Sequence, residues 1–187
     1  EFIERRAREK GLNNLTIVTC DINQFDPGRS FDRVVSIEMF EHLWNYKELL
    51  HRISGWLNTD GKLFVHIFTH KDLVYKYETD GAGNWMGRHF FTAGLMPSHN
   101  LFQHFQQDLT LVNQWRIDGT HYEKTSNAWL RNLDKNEEFA IKLLNEQYGD
   151  ESQVQFQRWR LFYMACAELW NFRNGEDWFV GHYLFRK

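Results

Sequence analysis

The chain has 187 residues, 42% of them hydrophobic and 25% charged, a composition typical of a globular domain with a substantial core. Its formal net charge of -3 argues against nucleic acid as the main partner. The sequence contains no run of eighteen apolar residues that would span a membrane and no recognisable signal peptide, and we therefore expect a cytoplasmic location.

The first seventy residues alternate between helical and strand patterns. The predicted elements are a helix over 1–10, strands over 15–20 and 31–37, a helix over 41–57 and a strand over 62–68. Gly11 directly follows the first predicted helix, a position where glycine commonly ends a helix. Near-continuous apolar strands joined by helices are typical of a parallel sheet that is covered on both faces. The pattern predicts the second half of a doubly wound α/β domain.

The rest of the chain changes character twice. Residues 71–108 are rich in glycine, aromatic residues and histidine, and we expect an irregular, partly helical cap over the end of the sheet. After the cap, the pattern predicts a strand over 109–117, a helical region over 123–148 broken near 132–136, a helix over 152–172 and an antiparallel closing strand over 178–185. The sequence thus predicts three parts: the α/β core in 1–70, the cap insertion in 71–108, and completion of the core and substrate pocket by 109–187.

Asp21 and Ile22 end the first predicted strand. In open α/β sheets, ligands bind beyond the carboxyl ends of the strands. A carboxylate at this place can accept a hydrogen bond from an exocyclic amine such as that of adenine, and the backbone N–H of Ile22 can reach a ring nitrogen. The alternative is an aspartate that only stabilises a local turn.

Three ionisable side chains, Glu38, Glu41 and His42, follow the second strand within five residues. The carboxylates can hold a cationic ammonium group, and the imidazole can take a proton from it. The alternative interpretation is a solvated helix start, since the helix dipole favours acidic residues there.

Two further ionisable residues and a group of aromatic residues complete the candidates. His66 alternates with apolar neighbours in its strand, a pattern more typical of a core histidine. Tyr122 opens the helix after the strand 109–117, where its phenol either faces the ligand crevice or packs. The cap aromatics can form a cage for a sulfonium or ammonium ion, or simply the core of the cap; they are Trp85, Phe90 and Phe91.

Common motifs for other chemistries are missing from the sequence. It has no phosphate-binding P-loop, HExxH zinc motif, nucleophile elbow or EF-hand loop. Cys20 and Cys166 lie far apart without CxxC spacing, which predicts reduced thiols and no metal site.

Five strings in order, SIEMFEHLWNY, KLFVHIFTHK, RHFFTAGLMPS, GTHYEKTSNAWL and NGEDWFVGHYLFRK, resemble the coclaurine N-methyltransferase group. That group belongs to the cyclopropane-fatty-acid synthase-like methyltransferases, and the likeness runs from residue 1 to residue 187. The resemblance implies a class I methyltransferase fold, S-adenosylmethionine as the methyl donor and a small-molecule amine as the acceptor. The oligomeric state does not follow from it.

The resemblance also implies roles for individual residues. Asp21 and Ile22 fall where the family contacts adenine, and we expect Glu38 to contact the cofactor as well. The catalytic motif that positions and deprotonates the amine corresponds to Glu38, Glu41 and His42. The positions where cyclopropane synthases hold a bicarbonate base correspond to Glu41, His66 and Tyr122.

The family's glycine-rich cofactor loop would precede Glu1, so we expect a C-terminal part of a longer domain that binds S-adenosylmethionine poorly by itself. Trp44, Ala93 and Leu95 depart from the family pattern near the cap, which bears on the identity of the substrate. Two alternatives stay open: alkylation of lipid alkenes as in cyclopropane synthases, and a non-catalytic remnant.

Overall fold

The structure, a computed structural model, describes all of residues 1–187. Internal packing divides the chain into two compact units, Glu1–Ser30 and Phe31–Lys187. The division into 1–70, 71–108 and 109–187 stays a prediction. No helix combines the length and hydropathy that crossing a membrane requires.

The first unit contains one helix, α1 (Phe2–Glu9). As predicted, a glycine ends it: Gly11 has φ of +67°, and its N–H donates to the Arg8 carbonyl at 3.0 Å. The strand predicted over 15–20 is wrong, because these residues adopt no regular structure and Val18 is 62% exposed. A β-branched run supplies only a propensity, and a strand forms only where a neighbouring strand completes its hydrogen bonds.

The second unit contains a four-stranded sheet, a two-stranded ribbon and five α-helices. The strands are β1 (Phe31–Ile37), β2 (Leu57–His70), β3 (Tyr75–Lys76), β4 (Leu95–Met96), β5 (Thr110–Ile117) and β6 (Trp178–Arg186). The helices are α2 (Tyr46–Trp56), α3 (Trp85–His89), α4 (Gly119–Lys135), α5 (Glu137–Tyr148) and α6 (Ser152–Asn171). The main sheet has the order β1-β2-β6-β5, with β1 and β2 parallel and the other two pairs antiparallel. The predicted antiparallel closing strand is therefore confirmed.

Two boundaries differ from the sequence prediction because local contacts extend an element. Strand β2 begins at Leu57, which pairs with Phe31 ahead of a register shift, and not at Lys62. Helix α4 begins at Gly119 because the Asp118 carboxylate accepts the Thr120 N–H at 2.8 Å. The predicted break near 132–136 is confirmed, since Asn136 separates α4 from α5.

The predicted helix over 41–57 is in fact two elements. A short 3₁₀ turn covers Phe40–His42, and α2 starts only at Tyr46, where the Asn45 side chain accepts the Glu48 N–H at 3.1 Å. The chain between the turn and α2 is not helical. Glu41 and His42 are therefore held by a tight turn directly after β1.

The two faces of the sheet carry different cores. On one face of β2, Leu63, Val65 and Ile67 are fully buried. An aromatic cluster accompanies them, with ring contacts of 5.2–5.5 Å among Phe40, Tyr46, Phe102 and Phe185. On the other face, a second core consists of Phe68, Met96, Cys166 and Trp170. His66 alternates with the first set in sequence and is only half-buried, so it lies on the second face.

Candidate active site

Glu38 lies directly after β1 and is held in an unusual backbone conformation. Its φ of +52° lies in the left-handed region, which costs a residue with a Cβ roughly 1–2 kcal/mol. Its N–H donates to the His66 carbonyl at 3.0 Å, one step beyond the pairing of Ile37 with His66. The parallel ladder therefore places Glu38, directly after the end of β1, beside His66 of β2.

Three ionisable side chains contact one another in a row across the sheet at this point. Glu38 Oε1 lies 2.9 Å from His66 Nε2, and His66 Nδ1 lies 2.9 Å from His182 Nε2. The first contact has ion-pair distance without good hydrogen-bond geometry, so Glu38 Oε1 is buried with no hydrogen-bond partner. His182 belongs to β6 and pairs directly with His66 in the antiparallel register. Burial, and then the neighbouring His66, lower the pKa of His182.

These side chains open onto a cavity of about 360 Å³, a size suited to a small organic molecule. The cavity is lined by Glu38, His66, Ile117, His121, Tyr122, Thr125, Trp129, Val180 and His182. Three of the predicted site residues, Glu38, His66 and Tyr122, are thus brought together from three separate elements. The walls combine carboxyl, imidazole and phenol groups with apolar and aromatic surface.

Glu41 lies in the 3₁₀ turn and is buried, with 1% of its surface exposed. Its Oε2 has no hydrogen-bond partner, and burial, with a further contribution from Glu38, raises its pKa to about 8. Burial also raises the pKa of the Tyr122 phenol, to which Glu38 and Glu41 both contribute electrostatically. Glu41 does not line the cavity, but its carboxyl group, when ionised, acts electrostatically on Tyr122, which does.

His42 occupies a more open position than the other candidates. Its side chain is 52% exposed, and its Nε2 lies 3.8 Å from Glu41 Oε1. Its ring stacks on Phe91 with 6.3 Å between centroids. The structure thus separates His42, on the cap side of the turn, from the cavity that contains His66.

The three cap aromatics pack against α6 and the second core. Phe90 stacks on Phe162 at 4.3 Å and contacts Trp85 at 5.4 Å. Phe91 stacks on Tyr77 at 4.8 Å. None of the three lines the cavity beside His66. Their role as a cage around a cation stays a prediction.

Asp21 forms a local turn in the first unit. Its Oδ1 accepts the backbone N–H of Asn23 at 2.8 Å and the side-chain amide of the same residue at 2.9 Å. This is the local arrangement that the sequence left open as an alternative. Adenine contacts by Asp21 and Ile22 stay a prediction.

His182 and Trp129 contribute to the cavity but were not expected from the sequence. The sequence contains a signal for His182, because this histidine stands among the apolar residues of a predicted strand, as His66 does. An antiparallel pairing of the two strands places such residues opposite each other, but the register needed for this pair becomes visible only in the sheet. Trp129 lies seven residues, about two helical turns, beyond Tyr122 in α4, and no strand-end argument points to it.

The family model and the curated relatives that match this chain point to the same group of proteins. The mycolic acid cyclopropane synthetase profile matches residues 2–177. Over the whole chain, the sequence is 37% identical to (S)-coclaurine N-methyltransferase from Papaver somniferum and 30% identical to pavine N-methyltransferase from Thalictrum flavum subsp. glaucum. The chain covers 54% of each, so it spans about half the length of these curated relatives.

Solved structures agree with these relatives. A coclaurine N-methyltransferase bound to N-methylheliamine and SAH superposes with a TM-score of 0.92 at 34% identity, over 100% of this chain and 56% of that one. A cyclopropane synthase from Mycobacterium tuberculosis superposes with a TM-score of 0.73 at 20% identity, over 96% of this chain and 65% of that one. The second match bears on the fold alone.

The sheet, the polar strand ends and these superpositions define an α/β protein with the class I methyltransferase fold. Within that class, the chain belongs to the mycolic acid cyclopropane synthetase family.

Proposed function

We propose that the protein of which this chain forms part is an S-adenosylmethionine-dependent N-methyltransferase that acts on a small-molecule amine. The observation that carries the proposal is a cavity with aromatic and apolar walls that Glu38 lines, with the buried Glu41 in the turn directly behind it. A carboxyl group in the cavity wall favours a cationic or hydrogen-bond-donating ligand, and the apolar walls favour a ligand with a hydrophobic body. Relatives named for N-methylation of coclaurine and pavine support the same acceptor class.

The carboxyl groups of the site also suit the positively charged sulfonium group of the cofactor. Glu38 Oε1 has His66 Nε2 as its neighbour at 2.9 Å, and Glu41 Oε2 has no hydrogen-bond partner, so either carboxyl group can stabilise a nearby positive charge when it is ionised. We propose that Asp21 and Ile22 contact the adenine. When bound, S-adenosylmethionine supplies an electrophilic methyl group. A cytoplasmic location is proposed with this function, since both cysteines carry free thiols and a reducing compartment keeps them so.

We propose that Glu38 anchors the amine and that Glu41 tunes the charge of the site. With its pKa near 8, Glu41 is a neutral acid at pH 7 in the free protein, and a bound ammonium ion would favour its ionised form. The amine must lose a proton before its lone pair can attack. His42 stays the base predicted from the motif. His66 lines the cavity, but its two ring nitrogens lie 2.9 Å from Glu38 and from His182, so we assign it to positioning Glu38 and compare it with His42 below.

A methyl-transfer assay on a panel of secondary amines tests this function in the intact protein. We expect Glu38→Gln and Glu41→Gln to lower kcat/KM by about a hundredfold, the range of a lost electrostatic or acid–base contribution. Glu48→Gln, which removes an exposed carboxylate from α2, serves as the matched control. Unchanged kcat/KM in both site variants would remove the carboxyl groups from the mechanism.

The same assay separates the two imidazoles. His42→Ala and His66→Ala are compared in kcat and in its pH profile, because loss of the base lowers kcat most steeply where the amine is protonated. The imidazole whose removal leaves the pH profile unchanged is not the base.

Alkylation of lipid alkenes is the alternative activity, favoured by the family to which the chain belongs. In that reading Glu41, His66 and Tyr122 hold a bicarbonate base, and the buried phenol and the neutral acid Glu41 can both donate hydrogen bonds to an anion. Activity on phospholipid vesicles that requires added bicarbonate would favour this alternative. Activity on amines that is indifferent to bicarbonate would exclude it.

A further inference from the structure

His66 and His182 form a hydrogen-bonded pair in the wall of the cavity. His66 Nδ1 lies 2.9 Å from His182 Nε2, and the two residues are direct partners in the antiparallel β2–β6 register. Residues directly opposite each other have their Cβ atoms about 5 Å apart, so the backbone ladder itself holds the rings together. The pair is therefore a built feature of the sheet and not a chance contact of mobile side chains.

The contact restricts where protons can lie. Two ring nitrogens at 2.9 Å need one donor and one acceptor, so the two rings cannot both be imidazolium ions. The other nitrogen of His66, Nε2, lies 2.9 Å from Glu38 Oε1. With the His66 proton on Nδ1, an electron-rich ring nitrogen would lie at that distance from a carboxyl oxygen, which is repulsive when the carboxyl is ionised. With the proton on Nε2, the positive end of an N–H dipole lies beside the oxygen and attracts it electrostatically, although the angle is not that of a hydrogen bond.

We propose that His182 is a positioning residue that donates its Nε2–H to His66 Nδ1 and thereby keeps the proton of His66 on Nε2, the nitrogen beside Glu38. The consequence for amine methylation rests on the function proposed above. His182 holds the ring and the tautomer of His66, and through it the Glu38 carboxyl group, in the arrangement that receives the amine.

The surroundings of the pair agree with this assignment. The pKa of His182 is lowered by burial and by His66, so at neutral pH His182 is the neutral member that can donate from one nitrogen only. The titratable groups that face the pair are Glu38 from the end of β1 and His121 and Tyr122 from α4. None of them forms a hydrogen bond with His182, so the contact with His66 is the side-chain hydrogen bond that His182 makes, and Glu38 beside His66 Nε2 favours His182 as its donor.

Ring-nitrogen NMR of the intact protein labelled with ¹⁵N-histidine tests the proposal directly. At neutral pH we expect His66 to show a protonated Nε2 and an unprotonated Nδ1. In His182→Phe, which keeps a ring against Phe64 but removes the donor, we expect this pattern to be lost. In His182→Gln, whose amide N–H can replace the donor, we expect it to return.

The control signal in the same spectra comes from His51, whose Nδ1 lies 2.9 Å from Asp108 Oδ1 and which does not line the cavity. Its ring nitrogens should be unchanged in both variants. An unchanged His66 pattern in His182→Phe, or a wild-type His66 with its proton on Nδ1, would overturn the proposal.

Kinetics separate this proposal from the proposed function. On an accepted amine, we expect His182→Phe to lower kcat by about tenfold to a hundredfold with little change in KM, and His182→Gln to recover most of it. An unchanged kcat in His182→Phe overturns the positioning role. A wild-type protein with no activity on amines refutes the proposed function, while the NMR result still decides the tautomer.

Discussion

Glu38 illustrates how a single residue combines strain with a possible function. A non-glycine residue with φ of +52° persists only where the surrounding structure holds it there, and such residues cluster at active sites. The backbone hydrogen bond to His66 and the tight turn that follows hold this one. The strained backbone therefore supports, independently of the motif, the proposal that residue 38 belongs to a functional site.

The substitution Glu38→Gly tests whether residue 38 lowers stability while its carboxyl group supports activity. Glycine adopts this conformation without steric cost, so we expect the free energy of unfolding to rise by about 1 kcal/mol, while methyl transfer is lost with the carboxyl group. Urea denaturation and the amine assay measure the two effects. Asn174→Gly, at the exposed residue with φ of +57°, is the control and should leave activity unchanged. A destabilised Glu38→Gly protein would contradict the assignment of strain.

At the scale of elements, the start of α4 decides where two cavity residues lie. Gly119 packs so closely that an added Cβ would lie 2.2 Å from the Trp178 carbonyl and 2.6 Å from the Trp170 carbonyl. Only glycine lets the first turn of α4 approach β6 and α6 this closely. Tyr122 and His121 follow within one turn, so this approach fixes their distance from the sheet.

The substitution Gly119→Ala is therefore expected to destabilise the protein by about 2–3 kcal/mol, since backbone atoms must move to admit the methyl group. Gly55→Ala in α2 is the matched control: a Cβ there meets nothing within 4 Å, and alanine should stabilise the helix by about 0.5–1 kcal/mol. Thermal unfolding of both variants provides the comparison. Equal effects of the two substitutions would show that α4 does not need this close approach.

At the scale of the whole molecule, one buried carboxyl group makes stability depend on pH. The pKa of Glu41 rises from 4.5 to about 8 on folding because burial disfavours the charged form. Between these values the folded state binds more protons than the unfolded state, so stability falls as pH rises through this window. Below about pH 4.5 both states are protonated and Glu41 carries no such penalty.

Glu41→Gln should remove this dependence. We expect the variant to gain stability relative to wild type as pH rises from 5 to 8, by on the order of 2–4 kcal/mol across the window. Denaturant unfolding at several pH values measures the difference, and Glu48→Gln controls for the loss of an exposed charge. A stability difference that stays constant with pH would contradict the raised pKa.

The sequence predicted most elements correctly where the hydrophobic period was long and bounded by clear signals. The strand Phe31–Ile37, the long helix near 152–172 and the antiparallel closing strand are examples. The strand expected over 15–20 failed because propensity alone does not supply a hydrogen-bonded neighbour. The helix start at Glu41 failed because periodicity cannot distinguish a 3₁₀ turn followed by a cap from a continuous helix.

The sequence by itself determined which ionisable side chains stand at strand ends, because strand boundaries and the residues that follow them are local features. It placed Glu38, Glu41 and His42 after one strand and His66 near the end of the next. Only the tertiary structure decided which of them meet, because strand register, a left-handed residue and a glycine contact act between segments distant in sequence. These non-local contacts bring His182 to His66, bury Glu41, and leave His42 outside the cavity.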